Sequence, residues 1–158
     1  MKQEDKNLLL KDLCGRIMHG VKCATYEDTI IHTLSGVIPD RVYNELYFEE
    51  LDWKECNGFA DIQYCKPYLF PLSSMTEEQK KELLELTGYE ARCEEDCGFD
   101  SWGFYVNIVG EYKYEDGEES ILLYPDDIGI DWLNKNHFDY RGLIEKDLAI
   151  DATGLNVY

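Results

Sequence analysis

The densest group of chemically capable side chains lies in one short stretch: Trp132, Asn134, His137, Asp139, Tyr140 and Arg141. A histidine near a carboxylate and a guanidinium can do acid–base work or hold a phosphate. Sequence neighbours need not converge in space, so a plainer reading stands beside this one. In it Asp139 caps a helix, His137 and Tyr140 pack, and Arg141 joins a surface ion pair. Cysteines at 14, 23, 56, 65, 93 and 97 are a second source of chemistry. A cysteine nucleophile needs a base and a lowered pKa, and no local signature pairs a Cys with His19, His32 or His137. Structural zinc wants paired short spacings; only Cys93-x-x-x-Cys97 comes near, and no second pair completes it. An even count suits disulfides in an oxidising setting. The start of the chain predicts no signal peptide, so reduced and mostly buried thiols are expected. Asp126, Asp127 and Asp131 could draw a divalent cation, but a helix N-terminus accounts for the first two as well. No glycine-rich phosphate loop, Gly-x-Ser-x-Gly elbow or His-Glu-x-x-His pair occurs. The sequence points to no catalytic residue, no metal and no cofactor.

Charge narrows the field further. The 158 residues carry 15 Lys plus Arg against 33 Asp plus Glu, a formal charge of −18. Phosphate neutralisation dominates nucleic-acid affinity and requires a basic face. Direct nucleic-acid binding is therefore not expected, and an anionic membrane surface would repel the chain. No apolar run reaches the length that crosses a bilayer, and a cytoplasmic location is expected. Most of the acid excess falls in 90–131, where Arg92 and Lys113 are the only bases. Glu94, Glu95, Asp96, Asp100, Glu115, Asp116, Glu118 and Glu119 are the candidate partner-binding residues, facing a protein with a basic surface. A solvated acidic surface without a partner explains the same residues. The sequence also holds 12 Tyr. Tyr43, Tyr47, Trp53, Tyr64, Tyr89, Trp102 and Tyr105 flank loops, where such rings either pack a rim or form a binding patch.

These residues must be positioned by ordinary elements. Leu9, Leu10, Leu13 and Ile17 predict a helix over 3–18 with Cys14 inward, Lys6, Lys11, Asp12 and Arg16 on other faces, and Gly20 as its stop. Val21 to Tyr26 and Thr29 to Leu34 read as a hairpin closed by Ser35-Gly36. Val42 to Phe48 and Phe59 to Tyr64 are further strand candidates. Pro67 and Pro71 exclude helix from 66–72, which reads as an ordered connector. Ser74 with Glu77, or Thr76 with Gln79, fits a capping box opening a helix that Gly88 ends. Residues 89–101 read as an acidic loop. Phe104 to Tyr114 and Ser120 to Tyr124 form a hairpin through Asp116-Gly117. A helix follows from Pro125 to about Asn136, then a short one over 140–147 capped by Asp139.

Three blocks carry a resemblance. They are Leu8-Leu9-Leu10-Lys11-Asp12-Leu13-Cys14 with Gly20-Val21-Lys22-Cys23, the stretch 66–78 from Lys66 to Glu78, and the stretch 131–145 from Asp131 to Glu145 with Ala149-Ile150-Asp151-Ala152. Together they resemble a group of small uncharacterised proteins encoded by gut bacteria of the Bacteroides group and by their phages and mobile elements. The resemblance covers the two ends and the Pro-rich connector, and leaves 89–125 unmatched. It implies a genomic setting and transfers no site.

The expectation is one α+β domain, 1–158, with an N-terminal helix and two or three further helices on a small, mostly antiparallel sheet. Its expected function is non-enzymatic: a binding or accessory protein acting by protein–protein contact, its sharper form an inhibitor that mimics nucleic-acid charge. The alternative is an enzyme or small-ligand binder built around His137, Asp139 and Arg141, with Trp132 and Tyr140 at the same site. A homo-oligomer forming a larger particle is a third possibility.

Overall fold

The computed structural model describes residues 1–25, 31–39, 44–49, 59–86, 92–100, 103–109, 113–114, 117–118, 121–123 and 127–158; from 92 to 123 the description is of backbone pairing. The fold class is α+β, as the sequence predicts: helices accompany mostly antiparallel strands. The chain divides into two compact units, one built from 1–70 with 143–158, the other from 71–142.

The first unit opens with α1 (Gln3–Arg16), followed by a 3-10 turn, Ile17–His19. Gly20 stops it at φ 66°, a left-handed conformation that costs glycine little. The buried stripe of α1 is Leu9, Asp12, Leu13 and Arg16, the i, i+3, i+4, i+7 face of a helix. This corrects the expected phase: Asp12 and Arg16 lie inside, while Cys14, expected in the core, is exposed. The reason is mutual neutralisation. The Arg16 guanidinium donates to both carboxylate oxygens of Asp12, Nε to Oδ2 at 2.7 Å and Nη2 to Oδ1 at 3.0 Å, with both side chains fully buried.

The sheet of this unit runs β5 (Cys65–Pro71), β1 (Lys22–Thr25), β2 (Ile31–Pro39), β3 (Asn44–Phe48), β4 (Phe59–Asp61), each antiparallel to its neighbour. The last strand of the chain, Ile150–Asp151, pairs parallel with β5 through Tyr68 and Leu69. Two expectations fail here. Ser35-Gly36 does not close the first hairpin; β2 continues to Pro39, and Ser35 is an extra residue where Leu34 pairs with Phe48 and Gly36 with Tyr47. A Cβ on Gly36 would stand 3.3 Å from that of Tyr47, so the close approach selects glycine. The Pro-rich connector is itself strand β5. Its prolines stand at Pro67, the last register pair with β1, and at Pro71, the strand's end. Phe59–Asp61 is strand, and the rest of that candidate is a 3-10 turn, Ile62–Tyr64, in which the Gln63 N–H donates to Asp61 Oδ1. The core gathers Leu9, Leu13, Val21, Cys23, Leu34, Leu46, Phe48, Ile62, Cys65, Leu69, Leu143 and Leu148. The expected last helix over 140–147 is instead a run of turns: Gly142 and Asp147 take left-handed φ of 67° and 58°, and Leu148 donates to the Leu143 carbonyl.

In the second unit α2 (Glu77–Leu86) opens with the expected box. Thr76 N–H donates to Gln79 Oε1 at 2.9 Å, and Gln79 N–H to Thr76 Oγ1 at 3.2 Å. Ser74 instead donates to the Pro71 carbonyl. The acidic stretch expected as a loop is strand β6 (Arg92–Asp100), paired with β7 (Gly103–Val109), which pairs in turn with β10 (Ile121–Leu123). Between them β8 (Lys113–Tyr114) pairs with β9 (Gly117–Glu118). Tyr114 pairs with Gly117, so Gly117 belongs to the ladder and not to the turn expected at Asp116-Gly117. Then come α3 (Asp127–Lys135) and the two-residue strand β11 (Phe138–Asp139), which makes the last strand β12. Asp139, expected as a cap, lies in β11. Gly88, expected to end α2, lies outside the described residues.

The buried ion pair sets a stability test. Breaking such a pair from one side strands the other charge and costs about 3–5 kcal/mol, whereas replacing both partners with apolar residues is often neutral. Asp12→Leu alone is expected to lower the urea midpoint steeply, and Asp12→Leu with Arg16→Met to recover most of that loss. An equal loss in single and double variants would refute it.

Candidate functional site

Three places could carry function. The first is the stretch around His137. Trp132, Asn134, His137, Asp139 and Tyr140 are all buried, and Arg141 is half-buried. They are brought in by α3, its C-terminal turn and β11. Trp132 and Asn134 lie on the buried face of α3. His137 ends the turn at φ 59°, a left-handed conformation uncommon for a side chain other than glycine. That reversal returns the chain so that Phe138 stacks on Trp132, centroids 5.8 Å apart. It also sets the Tyr140 hydroxyl to donate to Asn134 Oδ1 at 3.1 Å. The same hydroxyl accepts from Arg141 Nη2 at 2.8 Å, while the Arg141 guanidinium carbon lies 4.6 Å from the Tyr140 ring centre. The structure thus joins Asn134, Tyr140 and Arg141, and joins Trp132 to Phe138. Asn134 and Phe138 give the group its connectivity. Arg141 makes this hydroxyl and ring contact within the group. A guanidinium held over a ring beside a phenol can receive an anion or a carbonyl.

The second place is the acidic stretch. Glu94, Glu95, Asp96 and Asp100 lie on β6, at the edge of the three-strand sheet β10-β7-β6. Cys93 pairs with Ile108 and Cys97 with Val106, so Glu94, Glu95 and Asp96 together oppose Asn107 alone. They form a bulge in an edge strand. Glu118 lies on β9 across from Lys113. Glu115, Asp116 and Glu119 lie outside the described residues, as do Tyr43, Trp53, Tyr89 and Trp102 among the aromatics. Tyr47 donates to Glu45 Oε2 at 3.0 Å.

The third place was missed from sequence: polar groups in and beside the first unit's core. Beside the Asp12–Arg16 pair, Cys23 and Cys65 are fully buried on adjacent strands, with Cys65 close enough to act on the Cys23 thiol. Burial pushes the Cys23 thiol far up, the Cys65 contact adds to this, and the Asp12 charge adds a little more. Tyr158 leaves 45% of its surface exposed, yet its hydroxyl is engaged. It donates to the Tyr68 carbonyl at 2.7 Å and accepts from Lys22 N–H at 3.3 Å. Burial pushes this phenol above its ordinary range. The opposite charges four apart within a leucine run were the available signal for Asp12 and Arg16. Alternation around Cys23 and Cys65 marked both as inward. Nothing marked Tyr158.

Among the described residues, no three His, Cys, Asp or Glu side chains converge as metal ligands would, and no helix is long and apolar enough to cross a membrane. No family model, no curated protein and no solved structure matches the chain.

Two outcomes follow. Removing the Tyr140 hydroxyl leaves the buried Asn134 oxygen without this donor, so Tyr140→Phe is expected to cost about 1–3 kcal/mol; an unchanged denaturation midpoint would count against the network. The second concerns pH. Folded Cys23 and Tyr158 hold their protons to higher pH than the unfolded chain does. Folded protein therefore binds more protons above the ordinary thiol value of 9.0 and the ordinary phenol value of 10.0. Stability is full below these values and falls as pH rises through them. In denaturation midpoints measured upward from neutral pH under reducing conditions, Tyr158→Phe should flatten the decline beyond 10.0 and leave the earlier part in place.

Proposed function

We propose that this protein is a non-enzymatic binding protein that acts by contact with a basic surface on a partner protein. The observation that carries this is the run Glu94-Glu95-Asp96, set as a bulge on an edge strand in a chain of net charge −18. Such a field steers oppositely charged partners and repels polyanions. The sharper form is an inhibitor that occupies a basic groove made for nucleic acid. A resemblance to proteins of Bacteroides-group bacteria, their phages and mobile elements fits an accessory role of this kind inside the cell.

Acids on an edge strand also have a humbler use, because they stop sheets from pairing edge to edge. One variant separates the two. Glu94→Gln, Glu95→Gln, Asp96→Asn and Glu118→Gln together should abolish capture of a partner from host lysate at low salt, and the variant should stay monodisperse. Wild-type capture should fade as salt is raised, since contacts between exposed charges are screened. Duplex DNA should displace the partner if the groove is a nucleic-acid site. Unchanged capture, or a variant that only aggregates, would refute the reading.

A second reading is favoured by one observation, the joined Asn134, Tyr140 and Arg141. It makes the chain a binder of a small anionic ligand there. Inorganic phosphate or a carboxylate shifting the amide resonances of 132–141 in wild type, and not in Arg141→Gln, would support it.

A further inference from the structure

We propose that Cys23 and Cys65 are a reversible redox pair that ties β1 to β5 when oxidised. Both side chains are fully buried and lie on the same core face of adjacent antiparallel strands. The register pairs Cys23 with Pro67 and Thr25 with Cys65, which makes the two cysteines diagonal neighbours. Cys65 is close enough to act on the Cys23 thiol. Cys14, by contrast, stands alone on the exposed side of α1.

The chemistry needs an oxidant, and a peroxide suffices. One thiol, as its thiolate, attacks a peroxide oxygen and becomes a sulfenic acid as the O–O bond breaks. The second sulfur displaces that hydroxyl as water and forms the S–S bond. Two thiols lose two hydrogens and two electrons, and hydrogen peroxide becomes two waters. The register also sets how firmly the bond holds. Diagonal neighbours lie about 7–8 Å apart at Cα, at or beyond the far limit that a disulfide spans without backbone movement. Oxidation must therefore draw β5 towards β1, and a bond made under that load is readily reduced. Full burial and the raised Cys23 pKa make the forward step slow, gated by brief opening of the sheet. The device thus responds to sustained rather than passing oxidation.

The test uses the full chain, wild type and Cys14→Ser. Each is held with graded hydrogen peroxide while circular dichroism follows the fold, then alkylated in denaturant, digested without reduction and mapped by mass spectrometry. The expected result is a Cys23–Cys65 linked peptide, lighter than its parts by two hydrogens, that accumulates while the fold is retained. It should form in both proteins, and dithiothreitol should return both thiols. Recovery of Cys23 and Cys65 as free thiols in still-folded, oxidised protein would overturn the proposal. So would linkage chiefly to other cysteines, or linkage only after the fold is lost.

Discussion

The first unit depends on one constraint: two opposite charges placed wholly inside it. Desolvating a carboxylate and a guanidinium costs several kcal/mol for each ion, and only good geometry offsets that. Asp12 and Arg16 have such geometry because a helix puts residues four apart on one face and both carboxylate oxygens are used. Leu9 and Leu13 set the rotation of α1 against the sheet, and because residues four apart turn together, that rotation carries both charges inside at once. The field of the pair extends further. Asp12 reinforces the protonated state of Cys23, and Arg16 and Asp12 act in opposite senses on the phenol of Tyr158.

The sequence was most legible where local chemistry decides. The Gly20 stop, the Thr76–Gln79 box, the extent of α3 and the pairing of β7 with β10 follow from capping, glycine freedom and alternation. It misled where a partner distant in sequence decides. The phase of α1 was hidden by the neutralised pair, which hydrophobic periodicity scores as polar. Strand β5 was hidden by its prolines, Pro67 at the last register pair with β1 and Pro71 at the strand's end. Strand β6 was hidden by its acids, since an acidic run without alternation reads as loop unless β7 is known to lie beside it. The helix over 140–147 failed on two left-handed residues, one of them Asp147, tied to Lys66 far back in the chain.

The candidate site was legible by composition and not by connectivity. Trp132, Tyr140 and Arg141 stood out as residue types, and they do take part in a joined group. The links run through Asn134 and Phe138, and they exist because His137 reverses the chain in a left-handed turn. Backbone reversal at a non-glycine residue has no sequence signature beyond the mild preference of histidine and asparagine for it. His137, expected at the centre of an acid–base site, sets the path of the chain here.

Edge protection alone is a poor account of β6. One charge, or one bulge, suffices to block a strand from pairing further. This edge has both, with three successive acids opposite a single partner residue. Like charges at adjacent positions repel, and a protein of net charge −18 already has that strain to spare. The proposed contact with a basic surface would account for carboxylates beyond those that edge protection needs. Under that proposal a basic surface relieves the repulsion on contact, and the same acids then contribute to the complex.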